Sequence, residues 1–567
     1  MAIIVRITRG LTLTLTGITV LACILARADR CSGEINVWVT HGTTRTFPHD
    51  PPGEQREVRI SAARNEYEPF QVIVRAEGET LERVTLEASP LESSTGATIE
   101  STCITFFREH YVYLRRPSHR CTTSPGLYPD ALIPFVSPID GKDPKPRNRG
   151  TNPSGAKYDA VPCTIHPSFN QPFWVDVFVP PGTAAGQYRG TVTINAGGRE
   201  PVRVPVRLTV WDFTLPESPT VKSHFGDFGR ILKWFDAKPG SERARAIERR
   251  CCTMMAEHRI TPPVPSHLYP EVKEDGRIDA AGTHEALKEF MTTFHVNAFQ
   301  MRFRAFSDPL GANREKNKRF LSSMYRYLKE NRWADGAYVY ILDEPNDAAA
   351  YEEVRKRAAL VHEADPDIKV LCTEQTKSSD PSWGDLYGAV DIWVPLWPLH
   401  HEESAAARRA AGEMLWSYTA LCQGKGEPLW WQMDLPVLNY RVPLWTNYRY
   451  HMVGLLYWTT VFWEQVEDPW LDQPSFRLAY SGEGALVYPG RDAGFDGPVS
   501  SIRLKNIREG MEDYEYFVLL EKATGRTPIE KEVLSVTGSW RDWQRDPDVL
   551  FAARKRIARK ILSVESK

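Results

Sequence analysis

The chain is poor in cysteine and almost without net charge: nine Cys among 567 residues, and 70 Lys+Arg against 72 Asp+Glu for a formal charge of -2. So few cysteines exclude a small disulfide-stapled scaffold, and no Cys-x-x-Cys spacing offers a zinc-ribbon framework, so no metal is expected. With no basic excess, the electrostatic footprint of phosphate-backbone binding is missing and nucleic acid is not an expected partner. No apolar run reaches the roughly 20 residues of a membrane-crossing helix, so no transmembrane helix is expected. There is no fixed-period repeat. What the chain does have is ordinary globular composition, 42% hydrophobic and 25% charged, over a length suited to about two to four domains. It is also rich in rings, with 17 Trp and 22 Tyr. Flat aromatic faces commonly hold the apolar faces of sugars, with Trp-rich cores as the alternative use.

At the N-terminus, Arg6 and Arg9 precede an apolar stretch from Leu11 to Leu25 and then Ala26-Arg27-Ala28, a small-x-small export cleavage pattern. Residues 1–28 therefore read as an export signal, and the expected location is periplasmic, cell-surface or secreted in a bacterium. Val20-Leu21-Ala22-Cys23 supports a lipoprotein-type alternative with a lipid anchor at Cys23. Cys103 and Cys121 lie close enough in sequence to pair, and the remaining thiols read as buried and free.

Residues 29–215 show short alternating runs separated by Gly, Pro and Asn, such as "FQVIVRA", "PFWVDVFVP" and "PVRVPVRLTVWDF". Apolar residues at every second position over many short runs predict an N-terminal β-sandwich. The stretch 140–160 is polar and rich in Pro and Gly, and predicts a surface loop. Beyond Val221 the period changes. Strand-like runs at 221–226, 259–268, 296–303, 337–345, 368–375, 390–397, 414–420 and 455–463 alternate with helical patterns. The helical sets Ile247/Cys251/Met254, Phe320/Met324/Leu328, Val354/Ala358/Val361 and Ile507/Met511/Tyr514/Val518 each place one apolar face inward. The expectation is a multidomain β plus α/β chain: the sandwich, a (β/α)8 TIM-type barrel over 216–530, and a C-terminal helical extension over 531–567. Its weakest strand is the second, whose prolines remove ladder donors.

In such a barrel the site forms at the C-terminal strand ends. The fourth run finishes in Asp343-Glu344-Pro345, an acidic pair that packing does not explain and that Asn346 and Asp347 are better placed to replace as helix caps. Adjacent carboxylates repel, so one can stay ionised while the other keeps a proton, a division that suits glycoside hydrolysis. The conventional partner carboxylate is absent from the seventh run, which ends in Trp416-Ser417-Tyr418. That absence points to a nucleophile supplied by the substrate itself. Trp397, Trp416 and Trp458 are candidates for an apolar sugar pocket, each with core packing as the alternative. Glu374 at the end of the fifth run, and Glu464, Glu467 and Asp468 after the eighth, are further acids able to meet sugar hydroxyls or to act as a conventional nucleophile. His400-His401 has no spaced partner for a metal site.

The segments "YILDEPND", "GLLYWTTVFW", "GALVYPG" and "SIRLKNIREGMEDYEYFVLL", in that order, resemble glycoside hydrolase family 123, the β-N-acetylgalactosaminidases and their relatives. The resemblance implies a retaining glycosidase acting on glycans that end in a β-linked aminosugar; no cofactor is expected, and export is the reading of the N-terminal segment. It implies that Asp343 orients and polarises the sugar's 2-acetamido group while Glu344 serves as general acid and then base, through an oxazolinium intermediate. Tyr418 would hydrogen-bond the acetamido carbonyl. Arg508, Glu512, Asp513 and Glu515 of the last segment read instead as ion pairs at the barrel's edge.

Overall fold

The computed structural model describes residues 34–139, 141, 157–420, 429–473 and 477–565. The expected export signal with Cys23, and most of the polar stretch 140–160, lie outside them.

The N-terminal unit is built from two β-sheets. One orders the strands Ile35–His41, Glu66–Ala76, Asn170–Val179, Ile104–Leu114 and Gly126–Pro134, all antiparallel. The other centres on Val202–Thr214 and Gly186–Asn195 and includes one parallel pair, Val58–Arg64 beside Val202–Thr214. Alternation explains how they meet: Val204, Val206, Leu208 and Val210 are buried while Arg203 before them and Pro205 and Arg207 between them are exposed. Their apolar face shares one core with Phe70, Val72 and Val74 of the first sheet. Cys103 and Cys121 are both free. They flank the eleven-residue strand Ile104–Leu114, and at about 3.3 Å per residue that strand holds them far beyond disulfide reach.

The second unit contains a parallel sheet of seven strands. Its order is Lys222–His224, Gly454–Leu456, Met414–Tyr418, Ile392–Trp393, Lys369–Cys372, Ala337–Leu342 and Phe299–Met301. The expected strand over 259–268 does not form. Pro262, Pro263 and Pro265 carry no N–H for a ladder, so the segment is tied down through side chains instead, Thr261 N–H donating to Ser223 Oγ at 2.8 Å. The outer strands of the sheet, Lys222–His224 and Phe299–Met301, are accordingly not paired with each other. Each sheet face carries its own apolar layer. Val339, Ile341, Val370 and Leu415 meet the helices, and Tyr338, Leu371, Ile392 and Trp416 fill the opposite face.

The helices Glu242–Glu257, Arg314–Glu330 and Ala348–Ala364 bury the apolar stripes their spacing predicts, apart from Met254, which is half-buried. Ile502–Thr524 differs: it is buried nearly all round, charged residues included. It runs between the two units. Arg508 pairs with Asp176 at 2.8 Å, Lys505 with Asp176 at 2.7 Å, and Arg503 with Asp130 at 2.8 Å, both acids lying on strands of the N-terminal unit. From the C-terminal helix Pro547–Glu565, Arg554 reaches Glu66, Glu68 and Asp513. The ion pairs expected at the barrel's edge are interior and desolvated, and those of Arg508, Lys505, Arg503 and Arg554 cross to the N-terminal unit.

Glu109, on the strand Ile104–Leu114, is fully buried, and neither carboxyl oxygen has a hydrogen-bond donor among the described residues. Burial pushes its pKa up to about 8, against the pull of Arg45. The folded chain therefore keeps a proton that the unfolded chain releases above its ordinary 4.5, so this contribution to stability is complete below 4.5 and lost as pH rises through about 8. Glu109→Gln is expected to unfold at higher urea than wild type at about pH 9 and at a similar concentration at about pH 5. Identical midpoints for the two proteins at the higher pH would contradict the assignment.

Candidate active site

Asp343 and Glu344 follow the strand Ala337–Leu342 and are exposed. A register shift against the neighbouring strand falls between Tyr340 and Leu342 and re-aims the residues beyond it. Glu344 itself has φ of 46°, the left-handed region that a non-glycine residue occupies only when its surroundings impose it. What imposes it is visible: Glu344 N–H donates to Thr373 Oγ1 at 3.0 Å, just past the end of the adjacent strand.

Asp343 is fixed by two donors on one oxygen. Tyr340 O–H donates to Oδ1 at 2.6 Å and Thr373 O–H donates to the same atom at 2.8 Å. Burial, and then the carboxylate beside it, push the Tyr340 hydroxyl well above the usual phenol range, so it stays a donor. Glu344 is held differently, by Tyr418 O–H donating to Oε1 at 2.6 Å. Two neighbouring acids thus sit in separate hydrogen-bond environments, the condition for separate roles.

Both line a cavity of about 510 Å³ at the C-terminal strand ends, together with His224, Tyr340, Thr373, Tyr418, Leu456 and Trp458. Thr419, Ala420 and Arg477 complete its lining. A neighbouring cavity of about 320 Å³ shares His224, Tyr340 and Trp458 with it and adds Asp227, Arg230 and Gln300. Burial lowers the His224 imidazole to about 4, so at neutral pH it is uncharged, with Nδ1 2.9 Å from the Tyr338 hydroxyl.

Of the residues singled out from sequence, Asp343, Glu344, Tyr418 and Trp458 meet in this cavity. Trp397, Trp416 and Glu374 do not, and their placement corrects the expectation. Trp397 lies on the helix-facing side and stacks on Trp540 at 5.0 Å. Trp416 is inward-facing but one layer below the site, sealed against Tyr338 at 5.4 Å, while Tyr418, two residues on, reaches the mouth. Glu374 is buried against the helix Ala348–Ala364, accepting from Tyr351 O–H at 3.0 Å, and burial pushes it up to about 7. His401 accepts from Ser404 N–H as the N-cap of the helix Glu402–Ala410, which accounts for it without a metal. Tyr340, Thr373, His224 and Arg477 were not anticipated. Tyr340 and His224 were open to the strand-end rule; Arg477 comes from a long loop with no periodic signal.

A carboxyl pair at the C-terminal end of a parallel strand, in an aromatic-edged cavity of about 510 Å³, is an arrangement suited to glycoside hydrolysis. The family model for the glycoside hydrolase 123 catalytic domain matches residues 284–520, and that for the glycoside hydrolase 123 N-terminal domain matches residues 43–196. The chain belongs to glycoside hydrolase family 123. Its fold is similar to that of a family 123 glycoside hydrolase from Clostridium perfringens, described for glycolipid glycan hydrolysis. The two are 13% identical, with 94% of this chain and 98% of that one covered and a TM-score of 0.68. A Bacteroides ovatus family 5 xyloglucanase also aligns, at 10% identity over 80% of this chain and 98% of that one, with a TM-score of only 0.27. No curated protein matches the chain.

Proposed function

We propose that the chain is an exported, retaining β-N-acetylgalactosaminidase that works by substrate-assisted catalysis on the glycan of a glycolipid or related conjugate. We read its second unit as a (β/α)8-type barrel with one strand replaced by a proline-rich segment, and its first as a β-sandwich. One observation carries the mechanism: Asp343 and Glu344 are the only carboxylates among the described residues lining the cavity, and both leave the same strand end. A conventional retaining site needs a second carboxylate roughly 5 Å from the acid, normally from another strand. Here the strand Met414–Tyr418 supplies the cavity with no carboxylate but with the Tyr418 hydroxyl, 2.6 Å from Glu344 Oε1.

In the first step Glu344 gives its proton to the leaving oxygen as the glycosidic bond breaks, and the acetamido carbonyl oxygen of the same sugar bonds to the anomeric carbon. The oxazolinium cation that results is stabilised by ionised Asp343, held in place by Tyr340 and Thr373. In the second step Glu344 takes a proton from a water whose oxygen attacks the anomeric carbon, reopening the ring with the original configuration. Leu456, Ala420 and Trp458 offer the acetamido methyl an apolar wall. Tyr418 serves first as the donor to Glu344.

The test is a panel of nitrophenyl glycosides with and without the 2-acetamido group, combined with a thiazoline analogue of the intermediate. Turnover is expected only on the acetamido sugars, with the thiazoline binding roughly a hundredfold or more tighter than substrate. Turnover of a sugar that lacks the acetamido group, untouched by the thiazoline, would establish the conventional mechanism instead.

A further inference from the structure

Trp458 is the largest of the three rings, with His224 and Tyr340, that line both the catalytic cavity and its neighbour, so its orientation bears on the shape of both. The indole N–H donates at 3.0 Å to Oε1 of Glu483, a carboxylate only 1% exposed. The same oxygen accepts Tyr457 O–H at 3.1 Å, and Oε2 accepts Gln432 Nε2 at 2.8 Å. The Tyr457 oxygen accepts Gly484 N–H at 2.7 Å, so its own proton is committed to Glu483. Consecutive residues of one chain segment are thus gripped by a single buried acid.

Steric limits complete the grip. Gly484 has φ of +71°, and a Cβ there would lie 2.4 Å from the six-membered ring of Trp458. A Cβ on Gly226 would lie 2.4 Å from the Trp458 carbonyl oxygen. Phe462 closes the remaining side, its ring centroid 4.8 Å away. The acid is anchored in turn by the N-terminal unit. Ser118 donates to Asp434 through N–H at 2.9 Å and Oγ at 2.6 Å, and accepts Ser481 N–H on Oγ at 3.0 Å. Met433 N–H then bonds the Ser481 carbonyl at 2.7 Å, which fixes the segments that bear Gln432 and Glu483 side by side.

We propose that Glu483 is a positioning residue that locks the Trp458 indole as a rigid wall against which the apolar face of the bound sugar is held. The proposal deepens the aminosugar reading of the cavity and rests on it. A rigid aromatic wall contributes to holding substrate and intermediate, whereas proton transfer stays with Glu344. Removing the lock is therefore expected to act on KM more than on kcat.

The experiment measures both constants on a nitrophenyl β-N-acetylgalactosaminide for Glu483→Leu, Glu483→Gln, Trp458→Phe and the Glu483→Leu/Trp458→Phe pair. Glu483→Leu and Trp458→Phe should each raise KM about tenfold with kcat within about threefold, and the pair should show no more than either alone. Glu483→Gln, which keeps an acceptor oxygen for the indole, should restore most of the affinity. Trp458→Phe loses the five-membered part of the indole together with its N–H, so it reports the wall and its hydrogen bond together, and it can be measured even where Glu483→Leu fails to fold. Unchanged KM in either single variant, or multiplicative losses in the pair, overturns the positioning role while leaving the function intact. Wild type that neither turns over nor binds any aminosugar overturns the parent reading, and the wall with it.

Discussion

Glu344→Gln is expected to lose roughly a hundredfold to ten-thousandfold in kcat/KM on a 4-nitrophenyl β-N-acetylgalactosaminide, and Asp343→Asn a comparable amount, for different reasons. Glutamine at 344 cannot give up a proton. It still accepts the Tyr418 hydroxyl, so the geometry around it survives. Asparagine at 343 keeps its size but turns a charge facing the oxazolinium into a neutral dipole, and it places an amide where Tyr340 and Thr373 both donate. Leaving-group chemistry separates the roles. A 2,4-dinitrophenolate departs without protonation, so Glu344→Gln should recover much of its first-step rate on that substrate while Asp343→Asn should not. If both variants respond alike to the better leaving group, the division of labour between the two acids is wrong. Wild-type turnover by either variant would remove the pair from the chemistry altogether.

The parts of this site that could be read from sequence are those written at strand ends. The run 337–345 is apolar until Asp343, and the structure ends the strand at Leu342. The same rule reaches Tyr418 but misjudges Trp416, because two residues along one strand face share a direction but not a depth. Trp397 failed for another reason: it sits in a 3-10 turn beyond its strand, where alternation no longer predicts a side. Glu483 and Ser118 carried no pattern, since their importance comes from contacts spanning 25 and 363 residues to Trp458 and Ser481. The proline-rich segment at 259–268 shows local chemistry prevailing over the alternating pattern: a strand is expected there, but three prolines leave it without ladder donors. The helix Ile502–Thr524 shows the reverse. Its charges read as ion pairs at an edge, and the approach of a second unit buries them.

That burial sets the second large expectation, a loss of about 3–5 kcal/mol on Arg503→Met. Arg503 is wholly buried, gives Nε and Nη2 to Asp130 at 2.8–3.0 Å, and spends further N–H groups on the carbonyls of Gly482 at 3.0 Å and Ala485 at 2.6 Å. Methionine fills the space but takes away the closest countercharge of Asp130, leaving the buried carboxylate only the more distant Arg45 at 3.7 Å and the Tyr488 O–H at 2.6 Å, and exposing it means separating the two units. A double variant with Asp130→Asn should regain part of the loss, because the uncompensated charge is gone; the urea midpoints of the single and double variants measure it. No loss in the single variant, or no recovery in the double, would refute the account. The carbonyl contacts add a catalytic consequence. Gly482 and Ala485 bracket Glu483 and Gly484, so the arginine that joins the two units also shapes the loop that holds Trp458. Arg503→Met protein that remains folded should therefore show a raised KM for the aminosugar substrate. A β unit acting only as a detached glycan-binding module could not produce that coupling.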